Sequence, residues 1–271
     1  QLDSAIAEKL NRALENEGDI KLPFPAPVVW VMNGQAALKQ IGSASYFGGW
    51  ATSAEELEAL CQSLAINVPP TLKKHNFIPR GGEETEIYSA RAVLIAPIAK
   101  RLSSVTKTGE RFPGYHKGAN PHLQVLAQMA YRNAKENEIV PWGAVILSAK
   151  GFQAGNMLDA FAKWESASAK ARREFAPGLK GNLFYCSIGT YGDKIETKIV
   201  GTGNNTSPIT PVKLYAPPEL TEEVLTKLFV GNEIATQMAS MRDDACAWMD
   251  AWKAHQTPKV KLIEAPQFVP G

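Results

Sequence analysis

The 271-residue chain predicts an α+β protein: a mixed, mainly antiparallel sheet or small barrel, with inserted helices and a helical C-terminal segment. Three observations predict it. Short β-branched and aromatic runs bounded by Gly or Pro recur through residues 28–215. Amphipathic helical patterns interrupt them irregularly, without a βαβ rhythm. From residue 221 to 255 the pattern is helical. No repeat of roughly 20 to 50 residues and no low-complexity linker divides the chain. Residues 1–256 therefore read as one domain, with helices over 221–255 packed on it and 257–271 as an extended tail.

Taken in order, residues 3–16 carry Asp3 or Ser4 as a cap and Ile6, Leu10 and Leu14 at helical spacing. Pro23, Pro25 and Pro27 forbid continuation of that helix and favour an extended approach to Val28. Residues 28–34, VVWVMNG, read as a strand closed by the Asn33-Gly34 turn. Ser53 and Glu56 stand at capping-box spacing ahead of Leu57, Leu60, Cys61 and Leu64, predicting a helix over 54–64. Residues 86–104 suit two strands or one bent edge strand, since Pro97 removes a ladder donor. Asn120 followed by Pro121 reads as the cap and first turn of a helix to about residue 137, with Leu123, Leu126, Ala130 and Tyr131 on one face.

Residues 142–151 read as a buried strand. A helix over 154–175 turns Met157 or Leu158, Phe161 and Trp164 inward and displays Lys163, Lys170, Arg172 and Arg173. Strands are predicted over 182–190, 194–200 and 209–215, the first two as a hairpin through Tyr191, Gly192 and Asp193. Thr221 caps a short helix; after Gly231 a longer one carries Ile234, Met238, Met241, Ala245, Trp248 and Trp252 in heptad steps. Docking onto the sheet is the plain use of that seam. Self-association through Met238, Met241, Trp248 and Trp252 is the sharper one.

Catalytic and cofactor signatures are absent. Residues 201–206, GTGNNT, lack the third glycine of a dinucleotide fingerprint, and no GxxxxGK[ST] loop occurs. Gly42 and Ser43 sit at the wrong offsets for a nucleophile elbow. His75, His116, His122 and His255 form no pair at metal-ligand spacing, and Asp243-Asp244 falls on a polar helix side. Cys61, Cys186 and Cys246 are odd in number and far apart, which describes no disulfide framework and suits a reducing cytoplasm. No apolar run reaches the ~18 residues of a membrane span. Neither cofactor nor metal is predicted. Expectation moves from an enzyme with a dispersed site toward a binding protein, with an assembly protein built on the heptad helix as the remaining alternative.

The net charge of +2 conceals an uneven distribution. Residues 91–117 hold six Lys/Arg against one Glu, and residues 219–250 hold seven Asp/Glu against two Lys/Arg. Within residues 100–122, Phe112 and Tyr115 alternate with Arg101, Lys107, Arg111 and Lys117, and Gly109 and Gly114 loosen the backbone. Cations that track phosphates beside aromatic faces that stack bases are the requirements of a single-strand site. A second basic stripe is Lys163, Lys170, Arg172 and Arg173; Tyr46, Phe47 and Trp50 add aromatics on a glycine-flexed segment.

The strand VVWVMNG, the FGGW segment, the loop TKTGERFPGYHKG and the strand WGAVILSAKG resemble, in that order, the single-stranded-DNA-binding and strand-annealing proteins of phages and mobile elements. Many of those are built on an OB-type barrel. The resemblance covers about the first 200 residues and implies sequence-tolerant coating of single-stranded DNA, or RNA, by subunits that form multimers along the strand. One departure is clear: KVKLIEAPQFVPG, residues 259–271, is unlike the acidic tail of bacterial single-strand binders.

Overall fold

The computed structural model describes residues 21–32, 49–78, 83–106, 108, 110–133, 135–190, 198–201 and 206–254. Three long strands form its centre: β5 (Ala92–Val105), β7 (Asn120–Asn133) and β8 (Glu138–Lys150). Beyond β8 follow β1 (Val28–Met32), β2 (Gly49–Ser53), β4 (Thr85–Ala90) and β3 (Lys73–Phe77); on the far side of β5 lie β9 (Cys186–Gly189) and β12 (Lys213–Tyr215). Strand β6 (Arg111–Pro113) pairs with the end of β5, and β10 (Lys198–Val200) with β11 (Ser207–Ile209) makes a separate ribbon. Only the β1–β8 contact is parallel among these pairings. The α+β expectation with a mainly antiparallel sheet holds.

The sheet is curled. β4 and β5 are consecutive, separated by Arg91 alone, so one stretch of chain pairs with β2 through its first half and with β7 through its second. Trp50 on β2 is fully buried and its Nε1–H donates to the Ile188 carbonyl of β9 at 2.8 Å, tying strands that lie far apart in the sheet order. The corner leaves no room for side chains. A Cβ on Gly189 would meet the Arg91 carbonyl at 2.3 Å, and one on Gly49, at φ +139°, would meet that of Ala90 at 2.2 Å.

Helix α1 (Ala54–Leu64) starts where expected, with Ser53 Oγ accepting from the Glu56 N–H, and buries Leu57, Leu60 and Cys61. Helix α2 (Phe152–Phe175) packs on β7, β8 and β12 and buries Ala154, Met157, Ala160 and Trp164. Helices α3 (Glu222–Leu228), α4 (Asn232–Asp244) and α5 (Cys246–Ala254) complete the chain, α4 and α5 resting on β5. No helix among the described residues is long and apolar enough to cross a membrane.

Several expectations are corrected. Residues 120–133 are a strand, not a helix. β7 is flanked by β5 and β8 and buried on both faces, so its apolar run lacks the alternation that marks a half-exposed strand, and apolar residues fall at helical spacing by coincidence. Residues 86–104 are two strands, β4 and β5, as the first of the two readings had it, and the register of β5 slips between Pro97 and Ala99, where the proline falls. Among the described residues the expected hairpin of 182–190 with 194–200 is replaced by other pairings: β9 pairs with β5 and β12, and β10 with β11. Residues 209–215 are divided between β11 and β12. The heptad helix breaks at Ala245 into α4 and α5, and Met238, Ala245 and Trp248 are buried, so the seam serves docking; Met241 is half-buried. The helix over 3–16, the Asn33-Gly34 turn, the 191–193 turn, the side chain of Trp252 and the tail 257–271 lie outside the described residues.

Candidate nucleic-acid interface

The loop between β5 and β7 is ordered by one serine. Ser104 is buried, and its Oγ donates to the Gly114 carbonyl at 2.7 Å while accepting from the His116 N–H at 2.9 Å. Gly114 N–H bonds the Leu102 carbonyl at 2.8 Å, and β6 pairs back on β5 with Phe112 opposite Ser104 and Arg111 opposite Val105. At the tip, Thr106 and Glu110 close the turn through Thr106 N–H to Glu110 O and Glu110 N–H to Thr106 Oγ1. Gly114 and Gly118 take φ of +66° and +86°, which a Cβ would resist.

This scaffold sets the side chains. The Phe112 ring stacks on the His116 ring, centroids 4.1 Å apart and planes 12° from parallel. Tyr115 between them is 76% exposed, the largest exposed aromatic among the described residues. Arg111 and Lys117 are also exposed. A bare phenol beside a stacked pair and two cations is the combination that single-strand recognition needs.

The sheet register brings a further cation to this end of the sheet, on the face opposite to the Phe112 side chain. Ser103 lies opposite His122, and His122 opposite Lys150, whose side chain is exposed at the end of β8. Buried His122 is held by Nε2 against Ser148 Oγ at 2.9 Å, so it is a structural member of the row. Gly151, at φ +58°, turns the chain and donates to the Pro121 carbonyl at 2.7 Å, which places Phe152 at the same end of the sheet. Phe152 is 41% exposed, with Lys198 Nζ of the β10–β11 ribbon 4.5 Å from its ring centroid.

Other expected site residues are elsewhere or occupied. Arg101 is buried under α5: its Nε donates to Gln124 Oε1 at 2.7 Å, one Nη to the Trp248 carbonyl at 3.3 Å, and the guanidinium lies 4.3 Å from the Trp248 ring centroid. Arg172 is buried against Glu165, Ser168 Oγ and the Leu179 carbonyl. Both are structural cations, and Trp50 is core. Lys163 pairs with Asp159 at 2.7 Å one turn away. Lys170 and Arg173 are exposed but, at ~1.5 Å per residue, stand roughly 27 and 32 Å along α2 from Phe152. The basic stripe therefore does not join the loop. Tyr46, Phe47 and Lys107 lie outside the described residues.

Sequence reasoning missed His116 as a stacking partner, and it missed Lys150, Phe152 and Lys198. Lys150-Gly151 was legible only as a strand end; pairing with β7 puts it beside the loop.

A cavity of about 720 Å³ opens at the side of β5 left unpaired between β9 and β6, lined by Ile98, Ala99, Val125, Phe161, Trp164 and Met249 with Lys100 and Arg242 also on its wall. Pro97, the slipped register and Lys100 are features that block strand addition at such an edge. No group of three metal-ligating side chains occurs among the described residues. Comparison with protein-family models, curated proteins and solved structures finds no match to this chain.

Proposed function

We propose that the chain binds single-stranded nucleic acid, DNA in the first place, without sequence preference, through the sheet end carrying residues 111–117. The observation that carries the reading is Tyr115: an exposed aromatic ring on a pinned loop, beside the Phe112–His116 stack and between exposed Arg111 and Lys117. An aromatic face left in water at that cost is matched by bases, each stack contributing about 1–3 kcal/mol whatever the base. Arg111, Lys117 and Lys150 neutralise phosphates and release counterions. Pre-ordering of the loop by Ser104 means that little conformational entropy is lost on binding. The OB-type barrel of the resembled proteins draws support from the curl at Trp50; the neighbour order has β9 beside β5, β4 beside β2 and β1 parallel to β8, and the reading does not require a particular strand order. Multimers along the strand would have to use a surface other than Met238 and Trp248, which are buried.

Fluorescence anisotropy of labelled single- and double-stranded oligonucleotides across a salt series tests the proposal. Single strands bind more tightly, with a log–log salt slope near −2 for about three phosphate contacts at roughly 0.7 each. Tyr115→Ala weakens binding roughly 5- to 160-fold, and Lys117→Ala lowers the slope by about 0.7. Absence of binding at low salt refutes the reading.

A further inference from the structure

Among the described residues, β5 has no strand neighbour on the side away from β7 between Ile95, where pairing with β9 ends, and Ser103, where pairing with β6 begins. Pro97 carries no N–H for a ladder there, and the register slip before Ala99 makes Ile98 the extra residue of a bulge. Helices stand where a strand would be. Phe161 of α2, Arg242 of α4 and Met249 of α5 face the gap across the cavity of about 720 Å³. That volume falls within the ~300–1,000 Å³ of small-molecule pockets.

The wall divides by chemistry. Ile98, Val125, Leu158 and Phe161 are buried or half-buried and form an apolar lining. Lys100 is paired opposite Val125, hence on the same face of the sheet, and both it and Arg242 are exposed, which puts two cations at the opening. Glu165, the acid on the wall, is occupied: its carboxylate pairs with Arg172 at 2.5 Å. Lys100, Arg242 and the Asn182 side-chain amide, also on the wall, make no hydrogen bond or ion pair among the described residues. Asp243 and Asp244 follow Arg242 on α4, but helix neighbours one and two apart do not face each other.

Two unmatched cations and an amide on an apolar pocket are complementary to an apolar body with one anionic end. A guanidinium matches both oxygens of a carboxylate in its fork geometry. Pro97, the bulge and Lys100 oppose a peptide strand at the same edge. A nucleic-acid strand fits poorly as well, because its charge is continuous and its base edges are polar, whereas the lining offers Val125 and Leu158. We propose that this cavity binds an amphipathic carboxylate of the fatty-acid class, its chain against Ile98, Val125, Leu158 and Phe161 and its carboxylate held at the opening by Arg242 and Lys100. The proposal is independent of the single-strand reading, since none of these residues belongs to the 111–117 loop.

Calorimetric titration of the full chain with decanoate, decanol and decyltrimethylammonium tests it. Decanoate binds one per chain, decanol about tenfold more weakly, and the cation not at all. Lys100→Ala and Arg242→Ala each weaken decanoate about fivefold, near the upper end for exposed ion pairs, and leave decanol unchanged. Ala162→Trp, at an exposed position on the cavity wall, fills the opening and abolishes binding of both, while thermal unfolding of the free chain stays near wild type. Decanol as tight as decanoate, or decanoate unmoved by both Lys100→Ala and Arg242→Ala, overturns recognition of the carboxylate. Wild-type affinity in Ala162→Trp places the ligand elsewhere and overturns the site. If wild type binds no decanoate the proposal falls, most directly if the chain instead dimerises as its concentration rises and a second copy covers the cavity.

Discussion

Arg101→Ala separates a structural cation from a ligand-binding one. Arg101 belongs by sequence to the basic cluster of residues 91–117, yet it is buried between Gln124 and Trp248. The 2.7 Å charge-assisted bond to Gln124 contributes about 1.5–3 kcal/mol. The contact with the Trp248 ring at 4.3 Å, out of water, contributes about 2 kcal/mol. The two share one guanidinium and are not additive, so the expected loss is about 3 kcal/mol. For a chain of this size that lowers the melting temperature by roughly 6–12 °C. Arg101→Met, which keeps the stem's packing, recovers part of the loss. Urea unfolding followed by tryptophan fluorescence measures it, with the oligonucleotide titration run on the same samples below the transition. Stability within about 0.5 kcal/mol of wild type, together with about tenfold weaker binding, would refute this assignment and return Arg101 to the interface.

Two further outcomes follow from the core. Trp50→Phe removes the donor to the Ile188 carbonyl and loosens the link between β2 and β9; the expected cost is about 1–3 kcal/mol in urea unfolding, with single-strand affinity unchanged. Weaker binding at unchanged stability would instead make Trp50 a stacking residue. Burial pushes the Tyr185 phenol up to about 12, above its unfolded value near 10. The folded state holds the neutral phenol, so this contribution is full below about pH 10 and is lost as pH rises toward 12. Because Tyr185 Oη has no hydrogen-bond partner among the described residues, Tyr185→Phe leaves neutral-pH stability near wild type and flattens the alkaline loss. An alkaline unfolding profile identical to wild type would contradict that.

Local rules located what local chemistry decides. Ser53 and Glu56 fixed the start of α1, and the turn residues around Gly114 and Gly118 marked a loop that is one. They failed where long-range pairing decides. Asn120-Pro121 is a helix start in isolation; here Pro121 lends its carbonyl to Gly151 and its residue pair to Ser104, and two neighbouring strands satisfy the backbone that a helix would have satisfied internally. Residues 182–190 and 194–200 read as a hairpin because they are adjacent, but β9 finds better-buried partners in β5 and β12.

The interface was legible in composition and not in position, for a physical reason. Arg101 and Arg111 are ten residues apart in one basic segment, yet the chain carries the first into β5, buried under Trp248, and the second to the exposed strand β6. A cation in the sheet interior must be paired, and pairing removes it from service as a ligand contact. A cation at the sheet's end stays exposed to water, as Arg111 and Lys117 do. The sorting follows strand register: Lys150 comes to this end of the sheet because it lies opposite His122, not because of anything near it in sequence. Arg172 leaves the basic stripe by the same rule, since helix α2 turns it toward Glu165 and Leu179. Charge clusters in a sequence thus set an upper limit on a binding surface. The sheet that buries part of the cluster, and the neighbours it brings in from other strands, decide which of those cations a ligand can reach.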